Sequence, residues 1–264
     1  MEVPAGLSLD GRVAIVTGAG GATGIGFAAA CRLGELGAAV LLTATSERVE
    51  RRAGELRESG VDAVGVAGDL TDPGTAERLV AMAVQRWGRA DIVVNNAGMI
   101  SVADPDWHSG TADVLTYSDW RASQTRNLDT AFLVSKAALP HMKRHRWGRI
   151  VMVSSITGPV MASRGDVAYA ASKAGMVGLA RAIAVDTAGL GITVNAVAPG
   201  WIATGSQSED GAREGRSTPA GRSGRPDEIA SVISWLCTPG ASYLTGQCLT
   251  VDGGNSVAEE RSGS

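Results

Sequence analysis

Hydrophobic and polar positions along the chain alternate between two kinds of apolar segment. Residues 12–17, 39–43, 63–67, 92–94, 149–153, 192–197 and 248–251 are short runs dominated by Val, Ile, Leu and Ala. The stretches between them space their apolar residues three and four apart, as at Val49, Ala53 and Leu56 within 46–59. That spacing marks one face of a helix. The same reading predicts helices over 25–36, 76–87, 120–144, 169–188 and 227–236. Runs with few polar interruptions predict strands buried on both faces, and strands alternating with helices predict a parallel sheet. Right-handed crossovers then give an α/β fold: a doubly wound, Rossmann-type seven-stranded sheet with helices on both faces. No shift in composition marks a boundary, so one domain is expected over 1–264. Residues 101–118 and 205–224 break the rhythm with Gly, Ser and Asp, and are expected as rim loops. The second is the candidate substrate lid, because ligands of such folds bind beyond the carboxyl ends of the strands.

Composition narrows the classes. A hydrophobic share of 44% and a charged share of 19% fit a buried core and exclude disorder. The 35 glycines show no period, which points to tight turns and close backbone approaches. With a net charge of −3 and no basic run beyond Lys143-Arg144-His145-Arg146, no nucleic-acid partner is expected. Residues 1–10 lack the charged and apolar regions of a secretion signal. No apolar stretch reaches the ~18 residues of a membrane span. Cys31, Cys237 and Cys248 lack metal-ligand spacing, and His108, His141 and His145 form no cluster with them. The expectation is a cytoplasmic protein with reduced thiols, no metal and no membrane partner.

Two places carry chemistry. The first is the turn from Thr17 to Gly26, with Gly18, Gly20, Gly21 and Gly24, lying between the first strand and the first helix. Glycines there let the backbone approach a pyrophosphate placed at the positive helix N-terminus. The second strand ends in Thr43-Ala44-Thr45-Ser46-Glu47-Arg48. A carboxylate at that end would bind the adenosine ribose hydroxyls and repel a 2′-phosphate. Hydroxyls with a nearby arginine favour NADP(H) over NAD(H), against which Glu47 stands.

The second place is late in the chain. Ser154-Ser155 ends the fifth strand, and Tyr169 and Lys173 lie four apart on one helical face. Reducing a ketone needs a proton donor at oxygen as hydride arrives at carbon. A tyrosine of unperturbed pKa about 10 serves if a lysine cation one turn away lowers it. A serine hydroxyl holds the carbonyl oxygen. Ser155 is preferred because it immediately precedes the turn, with Ser154 the alternative. A Tyr-x-x-x-Lys pair by itself occurs by chance in many helices, so its weight comes from the company it keeps.

From about Leu9 to Asn255 this set resembles the short-chain dehydrogenase/reductase family. The matching motifs are the Gly-rich turn, Asp69-Leu70, Asn95-Asn96-Ala97-Gly98, Asn127, Ser155, Tyr169-Ala-Ala-Ser-Lys173, Pro199-Gly200 with Thr204, and Val251-Asp252-Gly253-Gly254. The resemblance implies Tyr169 as general acid/base and Ser155 as the substrate-orienting hydroxyl. It implies Lys173 on the nicotinamide ribose and Asn127 holding a water that links Lys173 to solvent. It implies a cofactor surface of Gly18, Gly24, Ile25, Gly26, Thr45, Ser46, Asp69, Leu70, Asn96, Ala97, Gly98, Pro199, Gly200, Ile202 and Thr204, with Tyr169 and Lys173. It also implies a homotetramer formed through the long helices and the C-terminal strand region. Residues 43–46 and the tail from Pro219, with Gly221-Arg222 and Pro226, are similar to bacterial 3-oxoacyl-acyl-carrier-protein reductases, which use NADPH.

Two departures stand out. Five residues, Ala19 to Thr23, separate Thr-Gly from Gly-Ile-Gly where the family usually has three. Thr23 stands where those reductases often place an arginine. The leading expectation is NADPH-dependent reduction of a 3-oxoacyl thioester or related ketone, with the acyl group on acyl carrier protein as one form of substrate. The alternatives are an NAD-dependent alcohol, sugar or cyclic-alcohol dehydrogenase and a catalytically silent dinucleotide sensor. Arg213 and Arg216 in the lid are candidates for meeting a phosphopantetheine or an acidic carrier.

Overall fold

The computed structural model describes residues 3–98 and 109–259. His108 and the 101–108 part of the first expected loop lie outside the described residues.

Strands β1 (Val13–Thr17), β2 (Ala39–Ala44), β3 (Ala63–Ala67), β4 (Ile92–Asn95), β5 (Gly148–Val153), β6 (Ile192–Pro199) and β7 (Cys248–Val251) form one sheet in the order β3-β2-β1-β4-β5-β6-β7. Every pairing is parallel. Successive side chains of a strand face opposite sides, so each strand feeds two cores. Val16, Leu42 and Val94 pack under helices α1 (Ile25–Glu35), α2 (Arg48–Glu58) and α8 (Pro226–Leu236). Ile15, Leu41, Val93 and Met152 pack under α3 (Pro73–Trp87), α5 (Thr130–His145) and α6 (Val167–Thr187). Both faces are covered, which is why the strands read as unbroken apolar runs. The chain winds outward from β1 to β3 and returns to β4 on the other side of β1. That reversal opens a crevice at the carboxyl ends of β1 and β4.

The structure departs from the sequence reading in two places. The segment 205–224 is not all loop, because α7 (Glu209–Arg216) forms within it. Ser208 caps α7 by accepting from the Gly211 amide at 3.1 Å, and Glu209 and Asp210 occupy its first turn. These are start signals that its Gly-rich composition hides. The helix expected over 120–144 begins earlier, as α4 (Tyr117–Gln124), and passes through one π-helical turn at Thr125–Asp129 before α5. A π turn inserts a residue and re-aims the side chains it carries. Here it carries Asn127.

Candidate active site

The reactive residues meet where β5 ends beside the start of α6. Ser154 is buried, and its Oγ donates to the Lys173 carbonyl at 2.8 Å, tying strand end to helix. Ser155 instead faces the crevice and lies within hydrogen-bonding reach of the Tyr169 hydroxyl. Its Oγ accepts from the Thr157 amide at 3.1 Å, which fixes the side chain at the turn. Of the two serines, the geometry brings Ser155 to Tyr169. Lys173 is buried, its Nζ donating to the Val153 carbonyl at 2.9 Å and lying 5.6 Å from the centre of the Tyr169 ring.

Burial governs the ionisation of both groups. Lys173 is drawn down to about 8, because desolvation disfavours the ammonium. Contrary to the lowering expected from Lys173, Tyr169 is pushed up to about 12 by burial, an effect that Ser155 opposes and Asp166 reinforces. At neutral pH the pair is a neutral phenol beside a lysine that remains mostly cationic. That is the state needed to give a proton to a carbonyl oxygen.

Asn127 is not in direct hydrogen-bond contact with Lys173. Its Nδ2 donates to the Ser123 carbonyl at 3.0 Å, and its Oδ1 is buried with no partner among the described residues. The π turn presses it against Gly98, where a Cβ would come within 2.6 Å of that oxygen. A side chain at Gly175 would run into Leu128, so the turn is also locked against α6.

The nucleotide end is made mostly of backbone. Thr17 Oγ1 accepts from the amides of Asn96 and Ala97 at 3.0 and 2.8 Å, and Asn96 Nδ2 donates to the carbonyls of Thr17 and Gly18 at 3.0 and 3.1 Å. This clasp holds the ends of β1 and β4 together. It also explains two glycines without a ligand: a Cβ on Gly18 or Gly26 would collide with Asn96 Nδ2. Gly21 differs, since a Cβ there would meet nothing closer than 3.9 Å and the residue lines the crevice. Gly24 forms the N-cap of α1 with no side chain over it, which leaves the first amides of the helix facing the crevice. An open glycine turn at a bare helix N-terminus, continuous with the reactive residues, fits a dinucleotide pyrophosphate. The lengthened loop reaches the start of the 205–224 segment, where a Cβ on Gly205 would meet Thr23 Oγ1 at 2.8 Å.

One cavity of about 480 Å³ joins the two ends. Gly18, Gly24, Ile25, Asn96, Ala97, Gly98, Ser155, Tyr169, Lys173, Pro199, Gly200, Ile202 and Thr204 line it. Asn127 and Gly26 lie behind its wall, and Thr45, Ser46, Asp69 and Leu70 lie beyond it along the sheet edge. There Ser46 Oγ accepts from Arg48 Nε at 3.1 Å, so the strand-end hydroxyl and the guanidinium are already paired. Arg213 pairs with Asp210 on α7, and neither Arg213 nor Arg216 lines the cavity. The sequence reading missed Asp166, Trp201 and Gln207, which do line it. Of these, Asp166 had a sequence cue in its place three residues before Tyr169. Among the described residues no group of His, Cys, Asp and Glu is arranged to hold a metal, and no helix is long and apolar enough to cross a membrane.

Comparison with known proteins follows the same lines. Residues 18–256 match the family model described as enoyl-(acyl carrier protein) reductase. The chain is 39% identical to the 3-oxoacyl-acyl-carrier-protein reductase FabG of Pseudomonas aeruginosa, covering 94% of this chain and 98% of that one. Among solved structures, a dehydrogenase/reductase from Sinorhizobium meliloti superposes with a TM-score of 0.86 at 32% identity, covering 96% and 98% of the two chains. A putative NAD(P)-dependent gluconate 5-dehydrogenase from Beutenbergia cavernae, with bound NADP, gives 0.84 at 37% identity over 94% and 98%.

Proposed function

The chain belongs to the short-chain dehydrogenase/reductase family, and on that premise we propose that it interconverts a ketone and a secondary alcohol with NADP(H). The observation that carries the reading is Ser155, Tyr169 and Lys173 converging on one cavity that continues to the glycine turn. In reduction, Ser155 holds the carbonyl oxygen and Tyr169 gives it a proton. Lys173 supplies the positive charge that stabilises the phenolate left behind and binds the nicotinamide ribose. The nicotinamide, when bound, supplies the hydride or takes it back. The unpartnered Asn127 Oδ1 supports a water held between it and Lys173 to return the proton from solvent.

Toward the cofactor, the amides at Gly24, Ile25 and Gly26 hold the pyrophosphate, Asp69 and Leu70 flank adenine, and Asn96 to Gly98 line the ribose side. Pro199, Gly200, Ile202 and Thr204 close over the nicotinamide. Thr45, Ser46 and the paired Arg48 take the 2′-phosphate, the contact that favours NADP(H). FabG as a relative supports a 3-oxoacyl thioester as substrate, carried on acyl carrier protein or free. Exposed Phe132, Trp235 and Tyr243 support a homotetramer through the long helices and the C-terminal strand region.

The test is turnover of acetoacetyl thioesters and simple ketones, followed by NADPH and NADH absorbance. NADPH is expected to win in kcat/KM by about tenfold or more, the scale of one hydrogen bond to a charged group. A clear NADH preference would sink the NADP and carrier-protein readings together. Reduction is expected to hold steady up to about pH 8 and fall above it. Tyr169, pushed up to about 12, stays protonated there, while Lys173, drawn down to about 8, loses its charge.

A further inference from the structure

The cavity wall opposite the glycine turn contains a charge that the proton-transfer chemistry does not use. Asp166 lines the cavity with Ser155 and Tyr169 and is half-buried. It occupies the N-cap of α6, where an aspartate ordinarily turns its oxygen onto the amides of the first turn. Here it makes no such cap bond, and its backbone, at φ −114° and ψ 34°, is outside the usual extended N-cap form. Among the described residues the carboxylate has no ion-pair or hydrogen-bond partner, and burial holds its proton affinity above the ordinary range. Removing a carboxylate from water without a partner is costly. Forgoing a ready-made cap as well leaves its acceptor capacity unmet in the cavity lining.

Its position says where on a substrate a partner would sit. Asp166 precedes Tyr169 by three residues, and side chains so spaced at the start of a helix are neighbours roughly 5–6 Å apart at Cβ. Tyr169 already feels the Asp166 charge. A substrate whose carbonyl oxygen sits at the Tyr169 hydroxyl shares the cavity with the carboxylate. Ser163 and Gln207 add further polar side chains to the lining, along with the ring of Trp201.

We propose that Asp166 is a specificity-determining residue whose carboxylate accepts a hydrogen bond from a substrate hydroxyl one or two carbons from the reacting carbonyl. The site thus selects hydroxylated ketones, and their diols in reverse, over ketones with bare alkyl arms. This rests on the ketone–alcohol reading and, because a 3-oxoacyl thioester has no such hydroxyl, favours a hydroxyketone over that thioester within it. It also disfavours substrates that carry a carboxylate at that position, because two anions would meet there.

The experiment compares 1-hydroxy-2-butanone and 4-hydroxy-2-butanone with 2-butanone, using NADPH and the full chain. For the wild type, at least one hydroxyketone is expected to exceed 2-butanone in kcat/KM by about tenfold or more, the scale of one hydrogen bond to a charged acceptor. Asp166→Leu is expected to bring that ratio close to one, chiefly through KM. The ratio cancels any change acting through Tyr169, which both ketones share, so a merely structural or electrostatic role would leave it unmoved. Asp166→Asn is nearly isosteric and carries the same test if the leucine variant does not fold; its ratio is expected to fall at least threefold. A ratio unchanged in the variants, or a wild type that turns over 2-butanone with no preference for hydroxyl, would overturn the Asp166 proposal alone. Turnover of none of these ketones, nor of the thioesters, would overturn the ketone–alcohol reading beneath it.

Discussion

The two ends of the cavity are built of different material. At the nucleotide end the contacts are backbone amides and carbonyls, held by the Thr17–Asn96 clasp and freed of side chains at Gly21 and Gly24. At the reactive end they are three side chains from two elements, with Ser155 at the tip of β5 and Tyr169 and Lys173 on α6. A surface made of backbone tolerates change in length. The glycine turn carries two residues beyond the usual family spacing, with Thr23 beside Gly205, while α1 still starts at Ile25. A surface made of side chains tolerates little, since each atom has one residue type able to supply it.

That contrast is broken most sharply at Tyr169. Tyr169→Phe removes a single oxygen and leaves the ring packing intact. General acid catalysis typically contributes 10²- to 10⁴-fold, and a fall of about that size in kcat is expected, with NADPH binding little changed. Steady-state kinetics beside a fluorescence titration of NADPH reads both. Full turnover of every accepted ketone by the variant would place the proton donor elsewhere.

The same contrast explains what was legible before the structure. The sheet was readable because its strands are covered on both faces, so the seven apolar runs appear without polar punctuation. Tyr169 and Lys173 were readable because a side-chain site leaves residue types at fixed spacing. Gly18 and Gly26 were readable as positions but not in cause: their missing side chains make room for Asn96 of the same chain. Helix α7 was hidden by three glycines and serines in a short segment, at Gly205, Gly211 and Gly215, whose helical signal is confined to its cap and first turn. The π turn was invisible because it changes hydrogen-bond register and not composition. Asp166 escaped notice because an aspartate before a helix already has an ordinary explanation as a cap, and only the structure shows that explanation unfulfilled.

At the nucleotide end a side chain matters mainly where it adds charge. Arg48 donates to Ser46 Oγ at the exposed end of β2. Arg48→Ala is expected to raise KM for NADPH by roughly tenfold and to leave KM for NADH within about twofold. That is the low end for a charged hydrogen bond, as suits a solvated site. The NADPH/NADH ratio of kcat/KM measures it directly. An equal loss with both cofactors would mean that Arg48 supports the start of α2 and does not read the phosphate.

The smallest expected effect sharpens the comparison within two adjacent residues. Ser154 and Ser155 share a residue type and a strand end, but Ser154 Oγ is spent on the Lys173 carbonyl at 2.8 Å while Ser155 faces Tyr169. Ser154→Ala deletes one buried hydrogen bond, worth about 0.5–1.5 kcal/mol. The Lys173 carbonyl lies inside α6 and keeps its helical partner, so the cost stays at the lower end. Thermal unfolding is expected to show a drop of a few degrees, with kcat lowered only about two- to threefold through looser anchoring of Lys173. Ser155→Ala should weigh chiefly on turnover, lowering kcat about tenfold or more because the hydroxyl it removes meets the substrate oxygen, with a melting temperature lowered no further than by Ser154→Ala, since the Thr157 amide it leaves is at a half-buried turn. If alanine at 154 silenced the enzyme while alanine at 155 spared it, the strand end would have to be redrawn with Ser154 as the substrate hydroxyl. The Lys173 tether would then have to break when substrate arrives.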